Sequence, residues 1–149
     1  MYIHWEDSFS IGNPLIDAEH QMMVMLCKKL DYAIKANAAK PELIRVVVEI
    51  KKFAEFHFVS EENLMIEIGY PGYDNHAKIH TSLLRELDMV ASGIHKHGQI
   101  DAQELLDYIW RWLATHIEHE DLKIADYLKS IGKHTLALAA FENIYPIRE

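Results

Sequence analysis

Cysteine is nearly missing. Cys27 stands alone in 149 residues, so no disulfide can form within the chain, and a reducing compartment is the natural expectation. Only six glycines and four prolines occur, and they fall at a few places, leaving long stretches of helix-like pattern between them. Apolar and polar residues nowhere alternate at period two over a useful length, which excludes a strand-built fold. No apolar run approaches the ~18 residues of a membrane span. The opening twelve residues carry Glu6 and Asp7 and have no apolar core, so a signal peptide is not expected. Basic charge is also short. Fifteen Lys and Arg against twenty-three Asp and Glu give a net charge of −8, which argues against a nucleic acid or an anionic membrane as partner. One domain of a cytoplasmic protein is the expectation, since 149 residues is the ordinary size of a single domain.

What remains is ordinary globular material, 50% hydrophobic and 26% charged. Residues 1–13 mix aromatics, Ser and Gly without helical period and read as an ordered arm. Pro14 opens a helical stretch to about Ala39, with Leu15, Ala18, Met22, Met25, Leu26 and Leu30 forming the expected apolar face. Pro41 suits the first turn of a second helix running to about Ile68, with Leu43, Val47, Ile50, Phe53, Ala54, Phe58 and Met65 as its stripe. Gly69-Tyr70-Pro71-Gly72 is a turn. A third helix follows from about Tyr73 to His95, through Ile79, Leu83, Leu84 and Leu87. Asp101 and Glu104 form a capping-box pattern that starts a fourth, reaching about Leu128. Four long helices with short turns predict an all-α, antiparallel up-down-up-down four-helix bundle over residues 14–129. Residues 130–149 are a C-terminal extension, with a short helix expected from Leu136 to Phe141.

Histidine is the anomaly: ten in 149 residues. His57 and Glu61 stand four apart on the second helix, and His76 and His80 four apart on the third. That spacing aims two side chains at one point. Singly such pairs mean little, because about 0.9 His-x-x-x-Glu pairs arise by chance at this composition, and solvated side chains explain them equally well. The combination is another matter. With His20 on the first helix and His116 on the fourth, antiparallel packing brings all these residues to one level of the bundle. Several imidazoles buried together without a partner are costly. A metal centre removes that cost, and five histidines with carboxylates exceed the four ligands of one zinc and suit two first-row metals.

In order, spacing and helix placement, His20, then His57-Phe58-Val59-Ser60-Glu61, then His76-Ala77-Lys78-Ile79-His80, then His116-Ile117-Glu118-His119-Glu120-Asp121 resemble the hemerythrin family, in its bacterial form. Flanking residues agree: Trp5, Ile16-Asp17, Glu61-Glu62, Leu64-Met65, Gly69-Tyr70-Pro71, Trp112-Leu113 and Tyr127-Leu128. The likeness covers about residues 3–129. It implies a non-haem di-iron centre, with His76, His80 and His116 on one iron and His20 and His57 on the other. Glu61 and Asp121 would bridge the two, beside an oxo or hydroxo group. The two-histidine iron would keep an open position where O2 binds reversibly. Imidazole and carboxylate donors suit Fe(II).

Asp121 needs comment, because helical geometry alone favours Glu120, four residues after His116. Five residues at ~100° carry Asp121 about 140° round an ideal helix. The family pattern selects Asp121 nonetheless, and a local π-turn would ease its reach. Met23, one turn after His20, is expected to face the centre, and Phe58, Trp112, Leu113 and Ile117 correspond to apolar pocket positions of the family that would keep water and protons from bound O2. His119 matches no family position and is expected to face solvent. His4, His95, His97 and His134 read as ordinary, and Cys27 as a buried spectator.

Two functions compete. One is an O2-binding module for carriage, storage or delivery, not an enzyme, although minor peroxidase-like activity fits the chemistry. The other is a di-iron oxidoreductase that turns over peroxide or nitric oxide, or a redox or O2 sensor acting through another chain. Oxygen-activating ferritin-like enzymes rely mainly on carboxylates, and five imidazoles with two carboxylates favour holding O2. A monomer or weak homo-oligomer is expected.

Overall fold

The computed structural model describes residues 3–97 and 101–132. Its helices are α1 (Pro14–Lys35), α2 (Lys40–Glu67), α3 (Tyr73–His97), α4 (Ala102–His116) and α5 (Leu122–Ser130), with a 3-10 turn at Asp7–Phe9. A single π-turn, Ile117–Asp121, joins α4 to α5, so the two act as one fourth rod. The four rods form the antiparallel all-α bundle, α1 packed against α2 and α4, and α2 against α3. Among the described residues no helix is long and apolar enough to cross a membrane. The helix expected over residues 136–141 lies outside the described residues, as does His134.

Local chemistry sets the boundaries. Asn13 caps α1, its side chain accepting from the Ile16 N–H at 3.1 Å, and Pro14 fills the first position. α1 stops at Lys35, short of the expected Ala39, because Asn37 turns left-handed (φ 54°) and the Ala38 N–H reaches back to the Ala33 carbonyl at 3.0 Å. That closure satisfies carbonyls the helix leaves open. Gly69 (φ 67°) ends α2 in the same way, with the Tyr70 N–H on the Met65 carbonyl at 2.9 Å. Asp101 caps α4 by accepting from the Gln103 N–H at 2.9 Å. The arm is stapled by Asp17, whose carboxylate accepts from the Ile11 N–H and the Ser10 hydroxyl, both at 2.7 Å.

The apolar face expected for α1 is corrected. Leu15, Ala18, Met22 and Met25 face outward, with Met25 62% exposed, and the buried stripe is Ile16, Glu19, His20, Met23, Val24, Cys27 and Leu30. The inward face is phased by two polar side chains, so a search for apolar spacing locks onto the wrong side. On α2 the stripe holds: Val47, Ile50, Ala54, Phe58 and Met65 are buried, and Leu43 and Phe53 are partly so.

The core comes in two parts. The larger takes Met23 to Leu30 of α1, Val47 to Phe58 of α2, Leu87 of α3 and Leu105 to Ile117 of the fourth rod. The smaller takes Ile11, Ile16, Leu64, Met65, Ile68, Ile124, Ala125 and Leu128. A fully buried aliphatic side chain such as Ile50 contributes about 1.5–3 kcal/mol. Between the two parts every rod turns polar at the same height. That polar layer is the candidate site.

Candidate metal centre

Eight polar side chains lie buried in this layer: Glu19, His20, His57, Glu61, His76, His80, His116 and Asp121, none above 6% exposed. All seven residues singled out in the sequence as ligand candidates are thus brought together. Their donor atoms form two overlapping groups, Glu61 with His76, His80, His116 and Asp121, and His20 with His57, Glu61 and Asp121, each within 4.8 Å.

The carboxylates divide their oxygens between the groups. Glu61 Oε1 lies 2.7 Å from His76 Nε2 and 3.1 Å from His80 Nε2, whereas Oε2 lies 3.4 Å from His57 Nε2 and 3.7 Å from His20 Nε2. Asp121 does the same: Oδ1 is 3.1 Å from both His76 Nε2 and His116 Nε2, and Oδ2 is 3.1 Å from His20 Nε2. Asp121 reaches this place through the π-turn, which inserts one residue between it and His116. Glu120, the easier choice on a regular helix, pairs outward with Lys123 at 3.4 Å.

Electrostatics explain why these groups tolerate one another. Burial opposes charge on His20, but Asp121 and Glu61 outweigh it and push its pKa up to about 10; the same contest raises His76 to about 9. For Glu61, burial and the nearby Asp121 disfavour ionisation, yet the histidines around it hold its carboxyl below the usual range. Burial also works against ionised Asp121, and His116, His20 and His76 keep it well below the ordinary value. Even so, His20 Nε2, His76 Nε2 and all four oxygens of Glu61 and Asp121 are buried without a hydrogen bond. Orphaned buried polar atoms on this scale are costly. Nitrogen and oxygen donors gathered this way fit first-row divalent metal ions.

Support for the imidazoles comes partly from residues that sequence reasoning passed over. Glu19 Oε1 takes a hydrogen bond from His57 Nδ1 at 2.7 Å, and its Oε2 accepts from the Ser60 hydroxyl at 2.8 Å. Glu62 Oε2 stands 3.3 Å from His80 Nδ1, and the Phe9 carbonyl 3.2 Å from His20 Nδ1. The signal for Glu19 was its place beside His20, legible only once the phase of α1 is known.

Apolar residues close the layer. Met23, Phe58, Trp112, Leu113 and Ile117 are all buried and belong to the larger core. Phe58 stacks on His80, centroids 4.0 Å apart and planes 8° off parallel, and lies 6.1 Å from Trp112. His119 is exposed. His4 lies in the arm, 3.0 Å from Glu6. Cys27 is fully enclosed, its thiol pushed up to about 12 by burial.

Comparison with known proteins agrees with this arrangement. A family model described as the hemerythrin HHE cation binding domain matches residues 12–128. Similar proteins include a bacteriohemerythrin of Clostridium acetobutylicum, 29% identical over 127 residues (82% of this chain, 98% of that protein). One from Campylobacter jejuni is 30% identical over 122 residues (82% and 92%). Another, from Stenotrophomonas maltophilia, is 28% identical over 126 residues (85% and 81%).

Proposed function

The chain belongs to the hemerythrin family, and from that membership we propose that it binds O2 reversibly at a non-haem di-iron centre, for oxygen carriage, storage or delivery. His76, His80 and His116 would hold one iron and His20 and His57 the other, with Glu61 and Asp121 shared. The observation that carries this reading is the division of each carboxylate between the two histidine groups. An iron pair held by these residues would supply reversible two-electron chemistry toward O2.

The chain's own residues do the rest. Three imidazoles serve one group and two the other, so a metal ion on the two-histidine side would have fewer protein donors and a coordination position left for a small ligand. Met23, Phe58, Trp112, Leu113 and Ile117 exclude water and protons, which favours release of O2 over its loss as hydrogen peroxide. A donor set of five imidazoles to two carboxylates supports holding O2 rather than cleaving it.

The test is the visible spectrum of the anaerobically reduced, iron-quantified protein. The expected result is two irons per chain and a charge-transfer band that appears in air and vanishes under argon over repeated cycles. Irreversible oxidation with release of hydrogen peroxide would overturn carriage and favour an oxidoreductase.

A further inference from the structure

Four of the five imidazoles of the site differ in what backs the ring nitrogen turned away from it. His57 Nδ1 donates to Glu19 at 2.7 Å, and both side chains are nearly enclosed, 2% and 5% exposed. His80 Nδ1 meets Glu62 at 3.3 Å, a carboxylate 26% exposed and therefore solvated. His20 Nδ1 meets only a neutral carbonyl, that of Phe9, at 3.2 Å. His76 Nδ1 is buried and has no hydrogen bond. A charged acceptor shielded from water makes a shorter and stronger bond than a carbonyl or a solvated carboxylate. His57 therefore stands apart from His20, His76 and His80.

Glu19 is itself unusual, a carboxylate 4% exposed on the inward face of α1. Both of its oxygens are used, one by His57 and one by the Ser60 hydroxyl at 2.8 Å. His57 and Ser60 lie three apart on α2, so one carboxylate from α1 grips two successive positions of its neighbour. The bond fixes the proton of His57 on Nδ1 and leaves the Nε2 lone pair directed into the site, 3.4 Å from Glu61 Oε2.

We propose that Glu19, held in place by Ser60, is a positioning residue that acts through His57 to enrich the two-histidine side of the site in electron density. By accepting the Nδ1–H of His57 at 2.7 Å in a site shielded from water, Glu19 leaves more electron density on Nε2, so the metal ion on that side is bound more tightly and its oxidised state is favoured. The inference rests on the di-iron reading above and concerns which half is tuned and by what group. The donor groups split accordingly: His20 and His57 are joined to Glu61 and Asp121 in one group, and His57 is absent from the other.

The experiment uses the full chain, Fe(II) alone and strict absence of O2. Chelator competition on the wild type, Glu19→Gln, Glu19→Ala and Ser60→Ala resolves the two binding equivalents. Loss of an outer partner typically weakens metal binding 10–100-fold. For Glu19→Ala that loss is expected in one equivalent, with the other unchanged. Glu19→Gln, near in shape but uncharged, is expected to keep the Nδ1–H tautomer of His57 by nitrogen NMR of the metal-free protein, yet to raise the midpoint potential of one iron. Ser60→Ala should shift both readouts the same way, less strongly. If Glu19→Ala is poorly folded by circular dichroism, Glu19→Gln carries the test alone. Equal weakening of both equivalents, or a folded Glu19→Gln with wild-type potential, overturns the proposal. Because O2 is excluded, failure of reversible O2 binding would leave this result standing, and the converse also holds.

Discussion

Asp121 Oδ1 lies 3.1 Å from His116 Nε2 although the two stand five positions apart along the chain, because the fourth rod takes one π-turn between them. A π-turn amounts to one residue inserted into an α-helix. Deleting exposed His119 is expected to heal the rod into continuous α-helix and move the aspartate to the fourth position after His116. The metal-free variant is expected to stay folded and helical by circular dichroism, while bound iron falls below two per chain. Wild-type iron content in a helical deletion variant would show that the π-turn is not what delivers Asp121.

The metal-free protein is expected to have a specific pH profile. His20 and His76 titrate near 10 and 9 in the fold against 6.5 ordinarily, so the stability they add is full below pH ~6.5 and disappears as pH rises through 9–10. Glu61 and Asp121 are depressed from 4.5 and 3.8, so theirs is present above pH ~4.5 and disappears as pH falls. The urea midpoint of metal-free protein is therefore expected to peak between about pH 4.5 and 6.5. Iron requires neutral imidazoles, so the gap between loaded and metal-free midpoints should widen from pH 6 to 9. Equal midpoints with and without iron would contradict the coupling of metal to fold.

Two histidines give a paired control. His80 is buried, with its Nε2 3.1 Å from Glu61 Oε1, and His119 is exposed three residues past His116. His80→Ala is expected to lose at least one iron, and His119→Ala to keep iron content and spectrum. Iron analysis and visible absorption decide. The reverse pattern would mean that the ligand assignment on the third and fourth rods is wrong.

Leu113, 3% exposed and one turn before His116, tests the pocket. Leu113→Ala opens a cavity costing about 2–5 kcal/mol. It is also expected to hasten decay of the oxygenated band in air, since water and protons gain access. Leu113→Asn, with the same branched shape but a polar end, separates polarity from space. Identical decay rates in all three proteins, with iron retained, would remove Leu113 from the role of guard.

The fold and the site were legible to different depths. Long uninterrupted helical stretches, few Gly and Pro, Pro14 and Pro41 at helix starts and the cap at Asp101 define the bundle within a few residues. The histidine spacings, compared at equal height, are enough to bring the seven polar candidates to one layer. On α1 apolar spacing points to the inward face at Leu26 and Leu30 but to the wrong face at Leu15, Met22 and Met25, which are apolar and solvent-facing whereas Glu19 and His20 are polar and enclosed. Hydrophobic spacing reports the inward face only where that face is apolar, and a buried polar layer breaks the rule where function sits.

The sequence by itself determined helix number, chain direction and the height at which imidazoles gather, since all three follow from periodicity along single helices and the shortness of turns. Only the tertiary structure decided which oxygen of Glu61 and of Asp121 faces which histidine group, that Glu19 stands behind His57, and that Phe58 lies flat on His80. These relationships join residues on different helices, with Glu19 and His57 38 positions apart. Spacing within one helix carries no information about the rotation of its neighbour. That rotation is settled by how the two apolar parts of the core close around the polar layer between them.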